Sequence, residues 1–391
     1  MKNIKYLALI LVVVVLAVVL GISGCISGIT SVGWGGGAIS GNTLYVGANG
    51  RLEAIDLVSL NTTFSQQVRA AAATSILSCA CGTASAPVAI YGNPVIVNDL
   101  AYFAGYDGKI YYTYANSVNG SLRVFFPGEG AAQPKPFVGS PVYNNGALYI
   151  ADSAGVVYAL DAVTGGLKWS VAPEGKKKNQ KIWATPAVDG GTLYIGSFDK
   201  KLYALNTSDG SKKWEFATEG AIMAAPLVSN GTLYFGSLDR NFYAVNAADG
   251  VEKWHISAKN WFWTQPVIVN GVMYIGALDS NVYLVNPATG AVTNTIKLDG
   301  SLASQPVVSG NNVVFVTMTG GHVWKIDTAT QQSNMLVKLD YNVDGPIAGS
   351  NGFIYVHGFT GGGGGCSCSG TVQKLSRVSL DNGTVTSIPL N

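Results

Sequence analysis

Leu193-Tyr194-Ile195-Gly196 is the most informative segment of the chain, because close copies of it recur at a nearly constant period. The copies are Leu148-Tyr149-Ile150-Ala151, Leu233-Tyr234-Phe235-Gly236 and Met273-Tyr274-Ile275-Gly276, so successive copies are 45, 40 and 40 residues apart. Weaker copies at Tyr45, Tyr102, Phe315 and Tyr355 bring the total to eight. A period of this length is typical of repeat architectures, in which each repeat is one structural unit.

Each repeat divides into four short strands. A proline such as Pro186 precedes the first strand, the Tyr194 segment forms the second, and Tyr203, nine positions later, marks the third. A turn at Asp209-Gly210 leads to an outer strand that carries Trp214. Such turn dipeptides between aromatic and β-branched runs are hairpin signals, and four strands in about 40 residues make up a propeller blade. We therefore predict an all-β fold: one eight-bladed β-propeller of four-stranded antiparallel blades.

The composition suits this fold and gives no electrostatic reason to expect a nucleic-acid partner. The chain has 391 residues, of which 48% are hydrophobic and 12% charged, so it can bury a large core. Its net charge is only +2, far from the strongly basic surface that nucleic-acid binding requires. The 49 glycines and 10% aromatic residues fit short strands separated by tight turns.

The N-terminal segment has the pattern of a secretory signal. Lys2 and Lys5 precede an uncharged apolar run over residues 6–22. The sequence Ile22-Ser23-Gly24-Cys25 then resembles the bacterial lipobox, in which the cysteine is lipidated and becomes the mature N-terminus. An uncleaved membrane anchor is the alternative, but the apolar run is shorter than the roughly 20 residues that span a bilayer.

These features predict three regions. We expect a signal peptide at residues 1–24, a lipidated tether at 25–33 and the propeller at 34–391. The protein is then an extracytoplasmic lipoprotein held to the membrane by the lipid on Cys25. It would lie on the periplasmic face of the outer membrane in a cell with two membranes, and on the cell surface otherwise.

The blade pattern resembles the pyrroloquinoline quinone (PQQ) type of propeller repeat. In this pattern a Tyr-Ala-Leu strand leads through Asn-x-x-x-Gly to a tryptophan, as from Tyr203 to Trp214. The resemblance is strong over residues 140–300 and fades towards both ends. Among proteins built from such repeats, an exported eight-bladed lipoprotein is most similar to the BamB family of outer-membrane β-barrel assembly. The resemblance implies a non-catalytic scaffold that binds protein partners, although repeat similarity indicates fold more directly than function.

Strand direction sorts the loops of a propeller onto two faces. The segments that lead into each first strand share one face with the loops between second and third strands. We call this the aromatic face and the opposite one the turn face. The aromatic face receives the aromatic residues Trp34, Phe137, Trp183, Trp261 and Trp263, the lysines Lys176, Lys177, Lys178 and Lys181, and the aspartates Asp107, Asp199, Asp239 and Asp279.

Aromatic residues among mixed charges are typical of protein-binding surfaces, so we expect a partner protein to bind this face. Trp183 and Trp263 occupy the same place in their repeats, which favours a packing role between neighbouring blades, whereas Trp261 breaks the pattern and is the better candidate for an exposed anchor. The aspartates are expected to cap their own turns, and a lysine run is most often a solvated loop.

Four cysteines outside the repeat pattern form two Cys-x-Cys pairs. Cys79 and Cys81 lie in the long insertion between blades 1 and 2, and Cys366 and Cys368 follow a five-glycine run in blade 8. Blade 8 is beside blade 1 in a closed ring, so we expect the pairs to meet and, outside the cytoplasm, to form disulfides. A four-thiolate zinc site is the alternative, although Cys-x-x-Cys is the more usual spacing for zinc.

The sequence also predicts that the protein is not an enzyme and binds no metal or cofactor. For a PQQ dehydrogenase the resemblance implies a disulfide between adjacent cysteines, and no Cys-Cys dipeptide occurs here. The three histidines, His255, His322 and His357, lack metal-ligand spacing. PQQ binding with an oxidoreductase role, or ligand binding at the cell surface, remain the alternative functions.

Overall fold

The computed structural model describes residues 37–48, 50–68, 88–114, 121–128, 132–175, 181–318, 320–360 and 372–390. These residues form strands and no helix, and the strands assemble into eight four-stranded antiparallel sheets. The described residues therefore include no helix that is long and apolar enough to cross a membrane. The predicted eight-bladed propeller is confirmed.

The blades follow one another along the chain. Blades 1 to 4 are β1 (Gly37–Ser40), β2 (Thr43–Ala48), β3 (Arg51–Asp56), β4 (Thr62–Gln67); β5 (Val95–Val97), β6 (Leu100–Ala104), β7 (Ile110–Tyr114), β8 (Arg123–Phe126); β9 (Val142–Asn144), β10 (Ala147–Ala151), β11 (Val157–Asp161), β12 (Leu167–Val171); and β13 (Ala187–Asp189), β14 (Thr192–Gly196), β15 (Lys201–Asn206), β16 (Lys212–Ala217). Blades 5 to 8 are β17 (Leu227–Ser229), β18 (Thr232–Gly236), β19 (Asn241–Asn246), β20 (Glu252–Ser257); β21 (Val267–Val269), β22 (Val272–Gly276), β23 (Asn281–Val285), β24 (Val292–Lys297); β25 (Val307–Ser309), β26 (Asn312–Val316), β27 (His322–Asp327), β28 (Ser333–Lys338); and β29 (Asn342–Ser350), β30 (Phe353–Thr360), β31 (Val372–Ser379), β32 (Val385–Ile388).

The hydrophobic core lies between neighbouring blades. Leu193 and Ile195 of β14 are fully buried and belong to one cluster with Tyr149 and Ala151 of the preceding blade. Both faces of each sheet are covered in this way, so the second strands are continuously apolar instead of alternating.

The ring closes by packing between its first and last blades. The first strand of blade 8 lies beside that of blade 1. Leu44 and Ile55 of blade 1 form one buried cluster with Tyr355, Leu375 and Ile388 of blade 8. Every sheet consists of four consecutive strands, so among the described residues no strand is exchanged between the two ends of the chain.

A tryptophan of one blade packs on a turn of the next. Trp214 donates a hydrogen bond from Nε1 to the Ala247 carbonyl oxygen at 3.3 Å, and Tyr194 donates its hydroxyl to the same oxygen at 2.8 Å. The indole lies over Gly250 at the end of that turn. Trp169 and Trp254 make the same contacts with the blades that follow them.

Backbone hydrogen bonds confirm the sorting of loops onto two faces. The Phe198 N–H, in the loop between β14 and β15, donates to the Lys181 carbonyl at 2.9 Å, in the segment that leads into β13. Leu278 donates in the same way to Trp261 at 3.0 Å. In blades 2 to 7, each such pair of loops on the aromatic face is therefore fixed together by the backbone.

Candidate functional site

In blades 2 to 7, the distance in sequence from the proline ahead of the first strand decides which side chains of the aromatic face are buried. Residues four positions before that proline are buried at 2% exposure or less: Ile90, Phe137, Ile182, Ile222, Phe262 and Leu302. Residues three positions before it are at least partly exposed: Tyr91, Val138, Trp183, Met223, Trp263 and Ala303. The alternation follows from extended backbone, in which successive side chains point to opposite sides.

Phe137 is a core residue, and the expectation that it lies on a partner-binding surface is wrong. It stands four residues before Pro141 and is completely buried. Its ring meets Tyr158 edge to face, with the centroids 6.1 Å apart, in the core between blades 2 and 3. A partner cannot reach this ring in the folded protein.

Trp183 is exposed, so the expectation that it packs between blades is also wrong. It stands three residues before Pro186 and keeps 37% of its surface accessible. Its ring packs edge to face on Phe198 of its own blade, with centroids 4.8 Å apart. The contact orients the indole and leaves one side open.

Trp261 and Trp263 form a second aromatic platform two blades away. Trp261 is 41% exposed, as the break in the repeat pattern indicated, and Trp263 is partly buried. The two rings stack, with centroids 6.5 Å apart and planes 24° from parallel. Blade 5, between the two platforms, carries Met223 and Leu238 at the corresponding positions, both partly exposed.

We call this set the aromatic crescent; it consists of Trp183, Phe198, Met223, Leu238, Trp261, Trp263 and Leu278 on blades 4 to 6. Its backbone is fixed by the hydrogen bonds between loops described above. Below it, Gln305 donates to the Gln265 side chain at 2.8 Å, and Gln265 donates to the Pro226 carbonyl at 2.9 Å, which links three neighbouring blades. The crescent is therefore a preorganised surface, which lowers the entropic cost of binding.

The aspartates of this face cap their own turns, as expected. Asp239 accepts the Asn241 N–H at 2.9 Å and the Tyr243 hydroxyl at 2.9 Å, and Asp279 makes the equivalent bonds to Asn281 and Tyr283. Burial and the neighbouring aspartates raise the pKa of Tyr243 and of Tyr283 to about 12. These carboxylates point back into the loops, because their oxygens accept hydrogen bonds there.

The cations of the crescent, in contrast, extend into solvent. Lys181, Lys200, Arg240 and Lys259 are exposed, and none of them forms an ion pair within the described ranges. Glu219, in the segment that leads into β17, is an exposed carboxylate on the same face. A partner at this surface therefore meets apolar rings next to exposed cations that are free of ion pairs within the described ranges.

A salt-bridge network fixes the base of the segment that carries Lys176, Lys177 and Lys178. Lys212 Nζ contacts Glu174 Oε1 at 2.7 Å and Glu215 Oε2 at 2.6 Å, and Lys201 Nζ contacts the same two glutamates. These pairs hold Glu174 of the loop after blade 3 on the outer strands of blade 4. The three lysines themselves lie outside the described residues.

Several other predicted residues also lie outside the described ranges: Cys25, Trp34, Cys79, Cys81, Cys366 and Cys368. The ends of the two cysteine segments are described. Val88 N–H donates to the Val68 carbonyl at 3.0 Å, and Thr360 pairs with Val372 at the end of the β30–β31 hairpin. Both segments start from the aromatic face, beside blade 1 and in blade 8, so the predicted disulfides remain a prediction.

Comparisons with known proteins place the chain among propellers of one family. The family model described as outer membrane protein assembly factor BamB matches residues 153–385, more than half of the chain. No match is found among curated proteins.

Two solved structures show the same fold. The computationally designed Ika8 protein superposes with a TM-score of 0.64 at 14% identity, covering 91% of this chain and 95% of its own. BamB from Moraxella catarrhalis superposes with a TM-score of 0.56 at 18% identity, covering 76% of this chain and 95% of its own. Identities this low show the fold alone.

Proposed function

Because the chain belongs to the family described as outer membrane protein assembly factor BamB, we propose that it is an exported, non-catalytic propeller scaffold that binds a partner protein on its aromatic face. The observation that carries this proposal is the aromatic crescent. Both tryptophans that are exposed among the described residues, Trp183 and Trp261, belong to it. Large, half-buried aromatic rings in a preorganised surface are the residues that contribute most to protein binding.

The charge around the crescent specifies the chemistry of the partner. Lys200 and Arg240 stand in the loops that carry Phe198 and Leu238, and Lys181 and Lys259 stand two residues before Trp183 and Trp261. Four of the seven side chains of the crescent therefore have a cation two residues away in sequence. A partner segment that combines apolar side chains with carboxylates fits this arrangement, because opposite charges at the rim speed association and fix its register.

A protein partner fits the geometry better than a lipid surface does. The tryptophan rings lie on neighbouring rings, Trp183 on Phe198 and Trp261 on Trp263, instead of projecting singly from the face. Rings held against each other in this way match a segment laid across them, whereas interfacial residues that insert into a bilayer must extend below the headgroups.

The test is recovery of the partner from the protein's own cells after crosslinking, with the wild type and two double variants as bait. Trp183→Ala with Trp261→Ala removes the platforms. The matched control, Val163→Ala with Val251→Ala, removes two exposed side chains of the turn face. We expect the same partner with wild type and control and its loss with the tryptophan variant. Equal recovery by all three, or no specific partner with any of them, contradicts the proposal.

The family description supports a finer proposal about location and partner. We propose that the protein is a lipoprotein outside the cytoplasm and that its partner belongs to the machinery that assembles outer-membrane β-barrels. Identification of the crosslinked protein tests this directly, because a barrel-assembly component is expected in a cell with an outer membrane. In a cell without one, the same scaffold would bind its partner or ligand at the cell surface.

The absence of catalysis and of a cofactor is part of the proposal. A PQQ site needs calcium ligands and, by the family resemblance, adjacent cysteines, and the sequence has no Cys-Cys dipeptide. Within the described ranges, no three His, Cys, Asp or Glu side chains converge as metal ligands would. Addition of PQQ and calcium is expected to give no bound chromophore and no dye reduction; a stoichiometric chromophore would overturn this part.

A further inference from the structure

The sequence contains five Asn-x-Ser/Thr acceptor sites for N-glycosylation, at Asn61, Asn119, Asn206, Asn230 and Asn382. The structure describes four of them: Asn61, Asn230 and Asn382 lie in turns of the turn face, and Asn206 is the last residue of β15 at that face. The aromatic face carries none within the described ranges. The acceptor sites and the aromatic crescent are therefore on opposite sides of the ring.

Asn61 and Asn382 are the most accessible of the four. Both stand in the turn between the third and fourth strands, in blades 1 and 8, which adjoin in the ring. Each asparagine is exposed, and so is its acceptor-site threonine, Thr63 or Thr384. The Asn382 side-chain oxygen accepts the Thr384 N–H at 2.9 Å, which leaves the side-chain nitrogen open to solvent.

The other two sites are restricted in the folded protein. Asn206 is partly buried, and its side-chain oxygen accepts hydrogen bonds from the Ser208 N–H and hydroxyl. Thr232, the threonine of the Asn230 site, is only 5% exposed, and its hydroxyl accepts a hydrogen bond from Lys253 at 2.7 Å. A transferase that reads the hydroxyl could not reach it without local unfolding.

Turn chemistry alone does not require asparagine at position 382. Asp209 and Asp249 hold the same place in blades 4 and 5 and accept the equivalent N–H, at 2.9 Å from Ser211 and 3.0 Å from Val251. An aspartate therefore caps this turn equally well. Among the blades whose turn between the third and fourth strands the structure describes, only blade 8 combines an asparagine there with a hydroxyl residue two positions later, which is the combination that a glycosyl transfer needs.

We propose that Asn61 and Asn382 are N-glycosylated after export and that the sugars cover the turn face over the junction of blades 1 and 8. In the transfer, the asparagine side-chain nitrogen attacks the anomeric carbon of an oligosaccharide carried on a lipid phosphate. A carbon–nitrogen bond forms, the bond to the phosphate oxygen breaks, and the lipid phosphate leaves with the electron pair while a base of the transferase takes the amide proton. This leaves the aromatic face free of sugar.

The test is glycopeptide mass spectrometry on the protein purified from its own cells. We expect glycan masses on the peptides that contain Asn61 and Asn382, and none on the peptide that contains Asn270, which occupies an Asn-Gly turn without a following hydroxyl. The variants Asn61→Asp and Asn382→Asp should each remove one glycan. Because aspartate caps the same turn in blades 4 and 5, Asn382→Asp should fold normally.

Unmodified masses for both peptides overturn the proposal, as does a glycan found at Asn206 or Asn230 alone. The result is independent of the proposed partner, since the double Asn61→Asp, Asn382→Asp variant should still recover that partner through the aromatic face.

Discussion

Trp214 and Gly250 are in such close contact across the junction of blades 4 and 5 that a side-chain carbon on Gly250 would lie 2.6 Å from the indole. Gly250 also has a positive φ of 76°. Both features require glycine, the first for space and the second for backbone conformation. Trp169 with Gly210 and Trp254 with Gly290 repeat the relationship, so it holds three consecutive blade junctions.

Gly250→Ala should destabilise the propeller strongly. The positive φ costs about 1–2 kcal/mol for a residue with a side chain, and overpacking against Trp214 adds about 1–3 kcal/mol. The control is Gly271→Ala, because Gly271 has a φ of 77° but no atom within 4 Å of the added carbon. Denaturant unfolding should show a clearly larger loss of unfolding free energy for Gly250→Ala; equal losses would show that the indole contact does not matter.

At the junction of blades 6 and 7, both the tryptophan and the glycine of this pair are replaced by other residues. Asn294 stands at the tryptophan position and Gln331 at the glycine position, and their side chains form a hydrogen bond of 3.4 Å. Asn294→Trp alone should destabilise the protein, because the indole meets the Gln331 side chain. Adding Gln331→Gly should restore stability, with a coupling of about 1–3 kcal/mol in a double-mutant cycle. Additive effects would contradict this.

Truncation of Phe137 should lower stability strongly, whereas truncation of Trp261 should affect mainly partner binding. Phe137→Ala leaves a cavity in the core between blades 2 and 3 and should lower the free energy of unfolding by about 3–5 kcal/mol. Trp261→Ala removes an exposed ring and should change stability by less than about 1 kcal/mol while weakening partner recovery. Thermal unfolding of the two variants in parallel measures this; a large loss for Trp261→Ala would assign that ring to the core.

High pH should destabilise the protein through Tyr243 and Tyr283, whose hydroxyls donate hydrogen bonds to the turn aspartates. Tyr243 and Tyr283 have folded pKa values of about 12, against an ordinary value of 10. Between these values the unfolded chain loses protons that the folded protein keeps, so the free energy of unfolding falls as the pH rises. The ultraviolet absorbance of tyrosinate should rise together with unfolding. In Tyr243→Phe and Tyr283→Phe the fall with pH should be smaller; an unchanged slope would contradict the assignment.

The oxidation state of the four cysteines tests whether disulfides join blades 1 and 8, as the sequence predicts. If Cys79, Cys81, Cys366 and Cys368 form disulfides, the unreduced protein should contain no free thiol among them, and reduction should raise its intact mass by two hydrogens per bridge. Reduction should also lower the unfolding temperature, because the bridges would join blades 1 and 8. Free thiols with stoichiometric zinc would establish the alternative site.

The sequence repeat made the fold predictable. The burial of side chains on the loops could be predicted only in part. The spacing of Tyr194 and its copies determined the number of blades, and prolines such as Pro186 located the first strands, because these signals are local. Phe137 was misassigned because aromatic residues near the proline were treated alike. Counting four positions to Pro141 but three from Trp183 to Pro186 would have separated them, since one residue along extended backbone reverses the side chain.

The outward orientation of the crescent's cations could not be read from the sequence. Asp239 and Arg240 are adjacent, and only the hydrogen bonds of the turn show that the carboxylate points inward while the arginine extends outward. Likewise, the stacking of Trp261 on Trp263 depends on the path of the loop, which no sequence period determines.

The first strand of blade 1 begins at Gly37, which lies at the aromatic-face end of that strand. Twelve peptide units separate Gly37 from Cys25 and span at most about 40 Å when fully extended. With a lipid on Cys25 as predicted, the N-terminal edge of blade 1 on the aromatic face stays within that distance of the membrane surface. The length of this tether thus sets an upper limit on the distance between the membrane surface and the propeller at that edge. A partner domain that enters between the two from that side must be thinner than this distance.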